Sequence, residues 1–354
     1  MSFRLGALAI WLCPHWNYAK IVPKGSIGDF MKIGWVEISK KRYGGGIYDK
    51  LVQKVLSMNF DFELISMDAR YLKKIRYLRM PEALIYLCNL SGEKDLWIRN
   101  FFSTITLPID KTKGKNLAIV YHIDFSTLPL VSQPVFFFLE KIFYQNLKKV
   151  DVILTISEYW RRHFLDKGYK NVYKIYCGFD LSLFNITEQE VTEFKKRFNF
   201  SGKPIIYLGN CQKGKGVVEA YQSLKNLNVF LVTSGRPQVK IPAINLDLEY
   251  RDYLCLLKAS SVVITMSQFK EGWCRTAHES MLLRTPVIGS GLGGMKELLE
   301  GGGQIVCCDF RELKDKVNFV LQNPEIGETG YNFAKKFTID KFEKEWIDLI
   351  KKIL

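Results

Sequence analysis

Long apolar runs and paired cysteines are both missing from this sequence. The apolar stretch at residues 5–13 falls well short of the roughly 20 residues that a membrane-spanning helix needs. The eight cysteines are scattered and no Cys-x-x-Cys occurs, so the sequence indicates neither a disulfide framework nor a common zinc module. The adjacent Cys307 and Cys308 follow an apolar run and are interpreted as packing residues. These absences favour a chain that works in a reducing, cytoplasmic compartment.

Acidic residues are also in short supply. There are 36 Asp and Glu against 51 Lys and Arg, which gives a formal net charge of +15. This surplus favours anionic partners such as nucleotide diphosphates, phospholipid headgroups or acidic glycans. Nucleic acid is the weaker choice, because no helix-turn-helix, RRM or zinc pattern occurs. With 354 residues, of which 47% are hydrophobic, the chain is long enough for two globular domains.

The most informative stretch of the chain covers residues 262–306. A β-branched apolar run predicts a buried strand at residues 262–265, and a helix is predicted from 277 to 283. A second strand at residues 287–290 leads through a glycine loop to a helix that opens near residues 295–297. This alternation predicts a doubly wound α/β domain, and such domains bind ligands at the carboxyl ends of their strands.

Two glutamates are expected at this edge of the sheet. Glu271 lies in the loop after the first strand, and Glu279 lies one turn into the helix, with Thr276 as the predicted N-cap and Glu279 as its capping-box partner. Helix N-termini offer unpaired N–H groups to a diphosphate, whereas carboxylates accept hydrogen bonds from sugar hydroxyls. As a pair alone, the glutamates could be a cap and a solvated charge. The strands and glycine turns around them favour a binding site.

The pattern F-x-EGW-x-x-x-x-x-ES-M-x-x-x-TPVIGS-x-x-GG-x-x-E resembles the donor site of retaining GT-B glycosyltransferases, specifically glycosyltransferase family 4. The resemblance implies an α/β protein of two Rossmann-like doubly wound domains that face a cleft. In that family the second glutamate, here Glu279, holds the ribose of the nucleotide sugar, and the first, here Glu271, lies beside the transferred sugar. The loop and glycine-turn residues expected to complete the donor site are Gly272, Trp273, Cys274, Gly293 and Gly294.

A second glycine-rich turn follows the first predicted strand of the C-terminal half. Its Gly209, Lys213 and Lys215 predict a phosphate cradle made of backbone amides and a cation. The family usually has an arginine where this chain has Asn210. Lys213 is expected to substitute for it, without the bidentate contact that arginine makes. Arg284 occupies a place where the family usually has glycine, and it is expected to be strained if its φ is positive.

The N-terminal half supplies the candidate acceptor side of the cleft. His122 and Asp124 follow the strand predicted at residues 117–121, and the resemblance places such a histidine near the donor sugar and the acceptor hydroxyl. The first helix is predicted at residues 47–57, and a glycine turn is predicted just before it. It is either a flexible turn or an acceptor-side loop, and it consists of Gly44, Gly45 and Gly46.

The resemblance covers about residues 31–354. The expected boundaries are an acceptor domain at 31–182, a linker at 183–203, a donor domain at 204–330, and a C-terminal segment at 331–354 whose helix crosses back to the first domain. Residues 1–30 are expected to be an added arm. The other interpretation is that Met31 is the natural start.

Two stretches suggest membrane contact, each with an alternative. Residues 69–80 predict a basic amphipathic helix that carries Arg70 through Arg79. It either contacts an anionic membrane at the inner surface or a phosphorylated lipid acceptor, or it is a solvated face, which is the commoner case. A strand is predicted after it, at residues 83–88. The aromatic stretch at residues 135–147 is a membrane-dipping helix or, because Glu140 and Lys141 interrupt it, more favourably a buried helix beside the cleft.

The resemblance implies a hexosyltransferase-type enzyme that moves a sugar from a nucleotide diphosphate sugar to a hydroxyl of a glycan, glycolipid or protein glycan with retention. Lys215 would neutralise the diphosphate, Glu271 would orient the sugar and His122 would place the acceptor. No metal and no cofactor are expected, and no Asp-x-Asp is placed to hold a metal. The alternatives are a nucleotide-sugar-binding protein of the same fold without turnover, and a nucleotide-sugar epimerase.

Overall fold

The computed structural model describes residues 31–37, 44–72, 74–75, 79–127 and 130–354. The strands in these ranges are β1 (Lys32–Glu37), β2 (Asp61–Ser66), β3 (Ser91–Arg99), β4 (Lys111–Val120), β5 (Val152–Thr155), β6 (Val172–Lys174), β7 (Ile205–Asn210), β8 (Phe230–Ser234), β9 (Ile244–Leu246), β10 (Val262–Thr265), β11 (Val287–Gly289) and β12 (Ile305–Val306). The α-helices are α1 (Gly44–Asn59), α2 (Arg79–Cys88), α3 (Phe101–Ile105), α4 (Gln133–Leu147), α5 (Glu158–Asp166), α6 (Glu188–Arg197), α7 (Val217–Leu224), α8 (Tyr250–Ala259), α9 (Arg275–Leu282), α10 (Gly294–Gly301), α11 (Leu313–Gln322), α12 (Ile326–Ala334) and α13 (Ile339–Ile353).

The strands form two six-stranded parallel sheets. The first has the order β2-β1-β3-β4-β5-β6 and the second the order β12-β11-β10-β7-β8-β9. In each sheet the strand order reverses beside the first strand of that sheet, and the crevice outside the strand ends at such a reversal is where doubly wound sheets bind ligands. We call the first sheet and its helices the first lobe, and the second sheet and its helices the second lobe. The predicted α/β fold with two Rossmann-like domains is confirmed.

The C-terminal helix crosses back to the first lobe, as predicted. Helix α13 buries Phe342 and Trp346, and Phe342 packs edge-on against Tyr48 of α1 at 5.3 Å between ring centroids. The same core cluster continues to residues of the second lobe such as Met281. Burial of large apolar side chains on both sides of the crossing therefore ties the lobes together. The exact domain boundaries stay predictions, and residues 1–30 lie outside the described residues.

The predictions for residues 69–72 and 83–88 are wrong, and residues 73 and 76–78 of the predicted basic helix lie outside the described residues. Residues 83–88 belong to helix α2 and not to a strand, and residues 69–72 are not helical. The carboxylate of Glu82 accepts hydrogen bonds from the backbone N–H groups of Arg70, Tyr71 and Leu72 at 2.7–3.0 Å. Because these amides are satisfied by a side chain from the next helix, the segment needs no helical hydrogen bonds of its own. Pro81 falls in the first turn of α2, where its missing N–H costs nothing.

Two further local predictions need correction. Gly44, Gly45 and Gly46 form the first turn of α1 and not a loop before it. Residues 135–147 do form a helix, α4, but its N-terminal half is exposed, whereas Phe143 and Leu147 near its end are buried. Among the described residues, no helix is long and apolar enough to cross a membrane.

Candidate active site

The carboxylate of Glu271 is the centre of the site. Strand β10 ends at Thr265, and the loop after it brings Glu271 back under Ser267, whose hydroxyl donates to Glu271 Oε1 at 2.5 Å. Lys215 Nζ lies 2.5 Å from the same oxygen. Burial raises the pKa of the Glu271 carboxyl, but Lys215, Ser267 and the charge of His122 outweigh it and hold the pKa below its ordinary value. Glu271 is therefore a buried anion.

Lys215 reaches this carboxylate from the glycine-rich turn after β7. Residues Lys213–Lys215 form a single 3₁₀ turn, and Gly216 follows at a φ of 68°, where a Cβ would approach Met266 O to 2.3 Å. Only glycine fits this close passage, which fixes the start of α7. Burial lowers the pKa of the Lys215 ammonium, but the Glu271 charge raises it by a larger amount. The net shift of the pKa is therefore upward. Lys213, in contrast, is exposed to solvent.

Glu279 lies eight residues after Glu271, on the buried face of α9. Its Oε1 accepts from Arg275 Nη2 at 2.7 Å and from the Tyr250 hydroxyl at 3.1 Å. The predicted capping box with Thr276 is wrong, because α9 begins two residues earlier than predicted and its N-cap is Cys274. Glu279 instead holds a guanidinium one turn below it, since residues four apart lie on one helix face.

Asn210 takes part in a polar cluster at the end of β7. Its side-chain oxygen accepts from the Ser234 hydroxyl at 3.1 Å and lies 3.4 Å from the Tyr207 hydroxyl. Gly209, just before it, has a φ of 91°. Asn210, which takes the place of the family's arginine, is thus hydrogen-bonded within the second lobe and offers no positive charge.

His122 and Asp124 face this site from the first lobe. The His122 ring lies 5.5 Å from the Phe269 ring, and Lys215 Nζ lies 4.8 Å from the centre of the same ring. Asp124 accepts the backbone N–H of Lys270 at 2.8 Å. Burial raises the pKa of the Asp124 carboxyl, but hydrogen bonds from Ser126 and Lys270 outweigh it and lower the pKa. The structure therefore brings His122 to the site and gives Asp124 an interlobe contact.

The glycine loops close the site and join the lobes. A Cβ on Gly272 would meet Tyr121 O at 2.3 Å, and one on Gly294 would meet Gly272 O at 2.0 Å. Gly293 N-caps α10 at a φ of 70°, and the Gly294 N–H donates to Glu271 O at 2.8 Å. This N–H is therefore used in a hydrogen bond within the loop, whereas the sequence had predicted that it would contact the diphosphate.

The side chains of Trp273 and Cys274 are both buried. Trp273 Nε1 donates to His278 Nδ1 at 3.2 Å, and its ring packs 4.9 Å from Tyr176 of the first lobe. Burial raises the pKa of the Cys274 thiol to about 12, so it stays protonated. The Glu271 charge also raises the pKa of this thiol, so Cys274 lies within electrostatic range of the Glu271 carboxylate.

Sequence reasoning missed several residues of the site. The carboxylate of Glu297 accepts the backbone N–H of Glu158 at 2.8 Å, at the N-terminus of α5 in the other lobe. Trp160 Nε1 donates to Glu271 O at 3.0 Å, also between the lobes. Glu297 is the last residue of the glycine-turn motif and could have been noticed. Arg275 is four residues before Glu279, a spacing that could have been noticed, whereas Trp160 carries no local signal because its partner lies 111 residues away.

The comparisons with known proteins agree with this architecture. Residues 188–337 match the family model for glycosyl transferases group 1. The chain is 29% identical over 121 residues to trehalose synthase of Pyrococcus horikoshii, a match that covers 32% of this chain and 29% of that protein. It is 23% identical over 224 residues to N-acetyl-alpha-D-glucosaminyl L-malate synthase of Bacillus anthracis, covering 57% of this chain and 58% of that protein. The matches thus span only part of these curated relatives.

A solved structure extends the likeness to both lobes. HepE of Anabaena, determined in complex with UDP and glucose, superposes with a TM-score of 0.71 at 14% identity, covering 91% of this chain and 99% of that one. At this identity the likeness concerns the fold. Two Rossmann-like lobes that face one cleft define the GT-B class. The second lobe is similar to the glycosyl transferases group 1, whose model it matches over residues 188–337.

Proposed function

We propose that the protein is a glycosyltransferase that moves a sugar from a nucleotide diphosphate sugar to an acceptor hydroxyl with retention of configuration. The observation that carries the proposal is the Lys215–Glu271 ion pair within range of the His122 charge from the first lobe, with Glu279 buried on the helix that follows Glu271. A cation suits the diphosphate and carboxylates suit sugar hydroxyls, so this residue set matches a nucleotide sugar. The match of residues 188–337 to the glycosyl transferases group 1 supports the same reaction.

Binding of the donor would rearrange the Lys215–Glu271 ion pair. When the diphosphate arrives, its charge competes for Lys215 Nζ, and Glu271 is released to accept hydrogen bonds from the sugar. As the bond between C1 and the phosphate oxygen breaks, Lys215 stabilises the negative charge that develops on the leaving diphosphate. The acceptor oxygen bonds to C1 on the same face, and its proton passes to the leaving phosphate oxygen. His122, at the rim, orients the acceptor or the sugar.

Glu279 and its partners would hold the nucleoside. The Glu279 carboxylate is anchored by Arg275 and the Tyr250 hydroxyl through Oε1. Its other oxygen has no place in these two bonds and suits a ribose hydroxyl. Because the carboxylate is buried and held by two partly buried groups, it is preorganised, which reduces the cost of ordering it on binding.

A donor panel tests the proposal. Full-length protein is screened with UDP-, GDP- and ADP-sugars by thermal shift, because a ligand that binds the folded state raises its apparent stability. Nucleotide diphosphate release is then measured with the stabilising donor. We expect Glu271→Gln to keep donor binding while release falls by about a hundredfold, the scale for loss of one transition-state contact. Full release by Glu271→Gln would remove this residue's role.

One rival function has an observation in its favour. Asn210 replaces a cation of the family's site and is tied to Ser234 and Tyr207, which favours a nucleotide-sugar-binding protein without turnover. Tight donor binding with no release from any donor would establish that rival. Neither a metal nor another cofactor has a part in the proposed reaction, so a chelator is expected to leave nucleotide release unchanged.

A further inference from the structure

The N-terminal half of α4 and the residues before it expose an unusual set of large apolar side chains. The exposed fractions are 81% for Leu130, 92% for Val131, 59% for Val135, 73% for Phe137 and 62% for Phe138. We call these five residues the apolar tip. Single exposed apolar residues are ordinary, but five within nine positions form a contiguous patch, and such patches mark interaction sites.

The apolar tip borders the acceptor side of the cleft. Strand β4 ends at Val120, and the chain then passes His122 and Asp124 before it reaches the tip. Gln133 Nε2 donates to Ser126 O, which holds the start of α4 against this loop. Thr127 touches the second lobe, because a Cβ on Gly214 would lie 3.3 Å from its hydroxyl. A binding partner that covers the apolar tip would therefore lie next to the cleft opening.

The surroundings of the apolar tip are basic. Along α4, Lys141 follows Phe137 and Phe138 by one turn and is exposed. Exposed Arg70 and Lys74 follow β2 and therefore lie at the same carboxyl edge of the first sheet. Helix α2 after them shares a cluster with Phe102 of α3, and α3 packs on α4 through Phe101 and Phe143. Both basic groups thus lie in one helical layer.

We propose that the apolar tip inserts into the surface of an anionic lipid bilayer, with Lys141 and the basic residues of the same layer against the lipid headgroups. An apolar tip with a basic border is the arrangement of interfacial helices that lie on membranes. The position beside the cleft then presents a lipid-anchored acceptor to the site, and this part rests on the proposed transferase function.

Charge favours a bilayer over the two other occupants. A second copy of this chain carries the same formal charge of +15 and would bring its own lysines against Lys141. Residues 1–30 contain three basic residues and one acidic residue, so they also offer no complementary charge. An anionic bilayer supplies both the apolar interior and the negative surface.

Vesicle flotation of the full chain tests the proposal. We expect the protein to float with vesicles of phosphatidylglycerol and phosphatidylcholine, to bind pure phosphatidylcholine at least about tenfold more weakly, and to lose binding as salt rises. The double variant Phe137→Ser/Phe138→Ser is expected to bind the anionic vesicles at least about tenfold more weakly. Both side chains are exposed, so the fold is retained. Phe319→Ser is the matched control, a 52% exposed phenylalanine on α11 of the second lobe.

Several results would overturn membrane docking. Equal flotation of the double variant and the unaltered chain would do so, as would an unaltered chain that does not float. A double variant that changes the sedimentation coefficient without vesicles would assign the tip to a second copy. Loss of flotation in Ile10→Ser/Trp11→Ser but not in the tip variant would assign binding to residues 1–30. Nucleotide diphosphate release, measured in parallel, separates the two proposals: flotation without release leaves the docking intact and removes the transferase function.

Discussion

At the scale of single residues, the Lys215–Glu271 pair sets the electrostatics of the cleft. Both groups are largely withdrawn from solvent, and each holds the other in its charged form. Removing one partner of such a pair leaves a buried charge without compensation, which is far more damaging than the pair is stabilising. The site therefore carries a charge that only a cation or hydrogen-bond donors can satisfy.

Lys215→Met is expected to destabilise the protein at neutral pH by roughly 3 kcal/mol, because Glu271 is left buried without its cation. In the unaltered chain the pKa of Glu271 is depressed, so its contribution to stability is present above the unfolded pKa and is lost as pH falls through the folded pKa. In the variant burial alone raises the pKa of Glu271, so protonation relieves the cost.

The difference in melting temperature between the two proteins should therefore shrink as pH is lowered from neutral to mildly acidic. Thermal unfolding across that pH range measures it. Lys213→Met, in the same turn but exposed, is the control and is expected to show no such pH dependence. A difference that is constant with pH would contradict the assigned coupling between Lys215 and Glu271.

At the scale of elements, the end of α9 shows a conformational conflict. Arg284 adopts a φ of 60°, where helices usually end in glycine, and the Thr285 N–H bonds back to Ser280 O in the same turn. The guanidinium compensates in part, since it pairs with Glu328 and lies 3.7 Å from the Tyr331 ring centre. Both contacts tie α9 to α12, while the backbone carries the strain that the sequence had suggested.

Two substitutions at Arg284 separate these effects. Arg284→Gly removes the strain together with the contacts and is expected to leave stability unchanged or raise it by about 0.5–1 kcal/mol. Arg284→Ala removes the contacts but keeps a Cβ at positive φ, so it is expected to lower stability by about 1 kcal/mol. Equilibrium unfolding in denaturant measures both. If the glycine variant were the less stable of the two, the assigned backbone strain would be wrong, because both variants lack the side-chain contacts.

At the scale of the whole molecule, the lobes are held closed by hydrogen bonds that cross the cleft. Glu297 of α10 accepts the N–H of Glu158 and the Tyr176 hydroxyl, and Trp160 donates to the backbone beside the catalytic candidate Glu271. A carboxylate at the N-terminus of α5 is favoured by the helix dipole as well. Closure and site geometry are therefore coupled, because the same loop takes part in both.

Glu297→Ala is expected to open the cleft and to lower the rate of nucleotide diphosphate release by about tenfold, the effect of roughly 1.4 kcal/mol lost from closure. Small-angle scattering should show a larger radius of gyration for the variant. Glu300→Ala is the control, since Glu300 is exposed on the same helix and pairs only with Lys296 among the described contacts. An unchanged radius together with an unchanged rate would show that Glu297 does not hold the lobes.

The sequence by itself determined the two-lobed α/β fold and placed Lys215, Glu271 and Glu279 at one edge of the second sheet. It could do so because strand and helix periodicity, glycine turns and the spacing of the glutamates are local properties. It did not determine residues 69–88, because the basic pattern resembles an amphipathic helix whereas Glu82 binds the backbone of that segment from the next helix.

Only the tertiary structure decided which groups partner the site residues. The pairing of Lys215 with Glu271 spans 56 positions, and that of Trp160 with the Glu271 loop spans 111. Such contacts depend on how the sheets and lobes pack, which no local pattern encodes. The exposure of Phe137 and Phe138 was decided in the same way. The sequence of an aromatic helix does not show whether neighbouring elements bury it or leave it exposed to solvent.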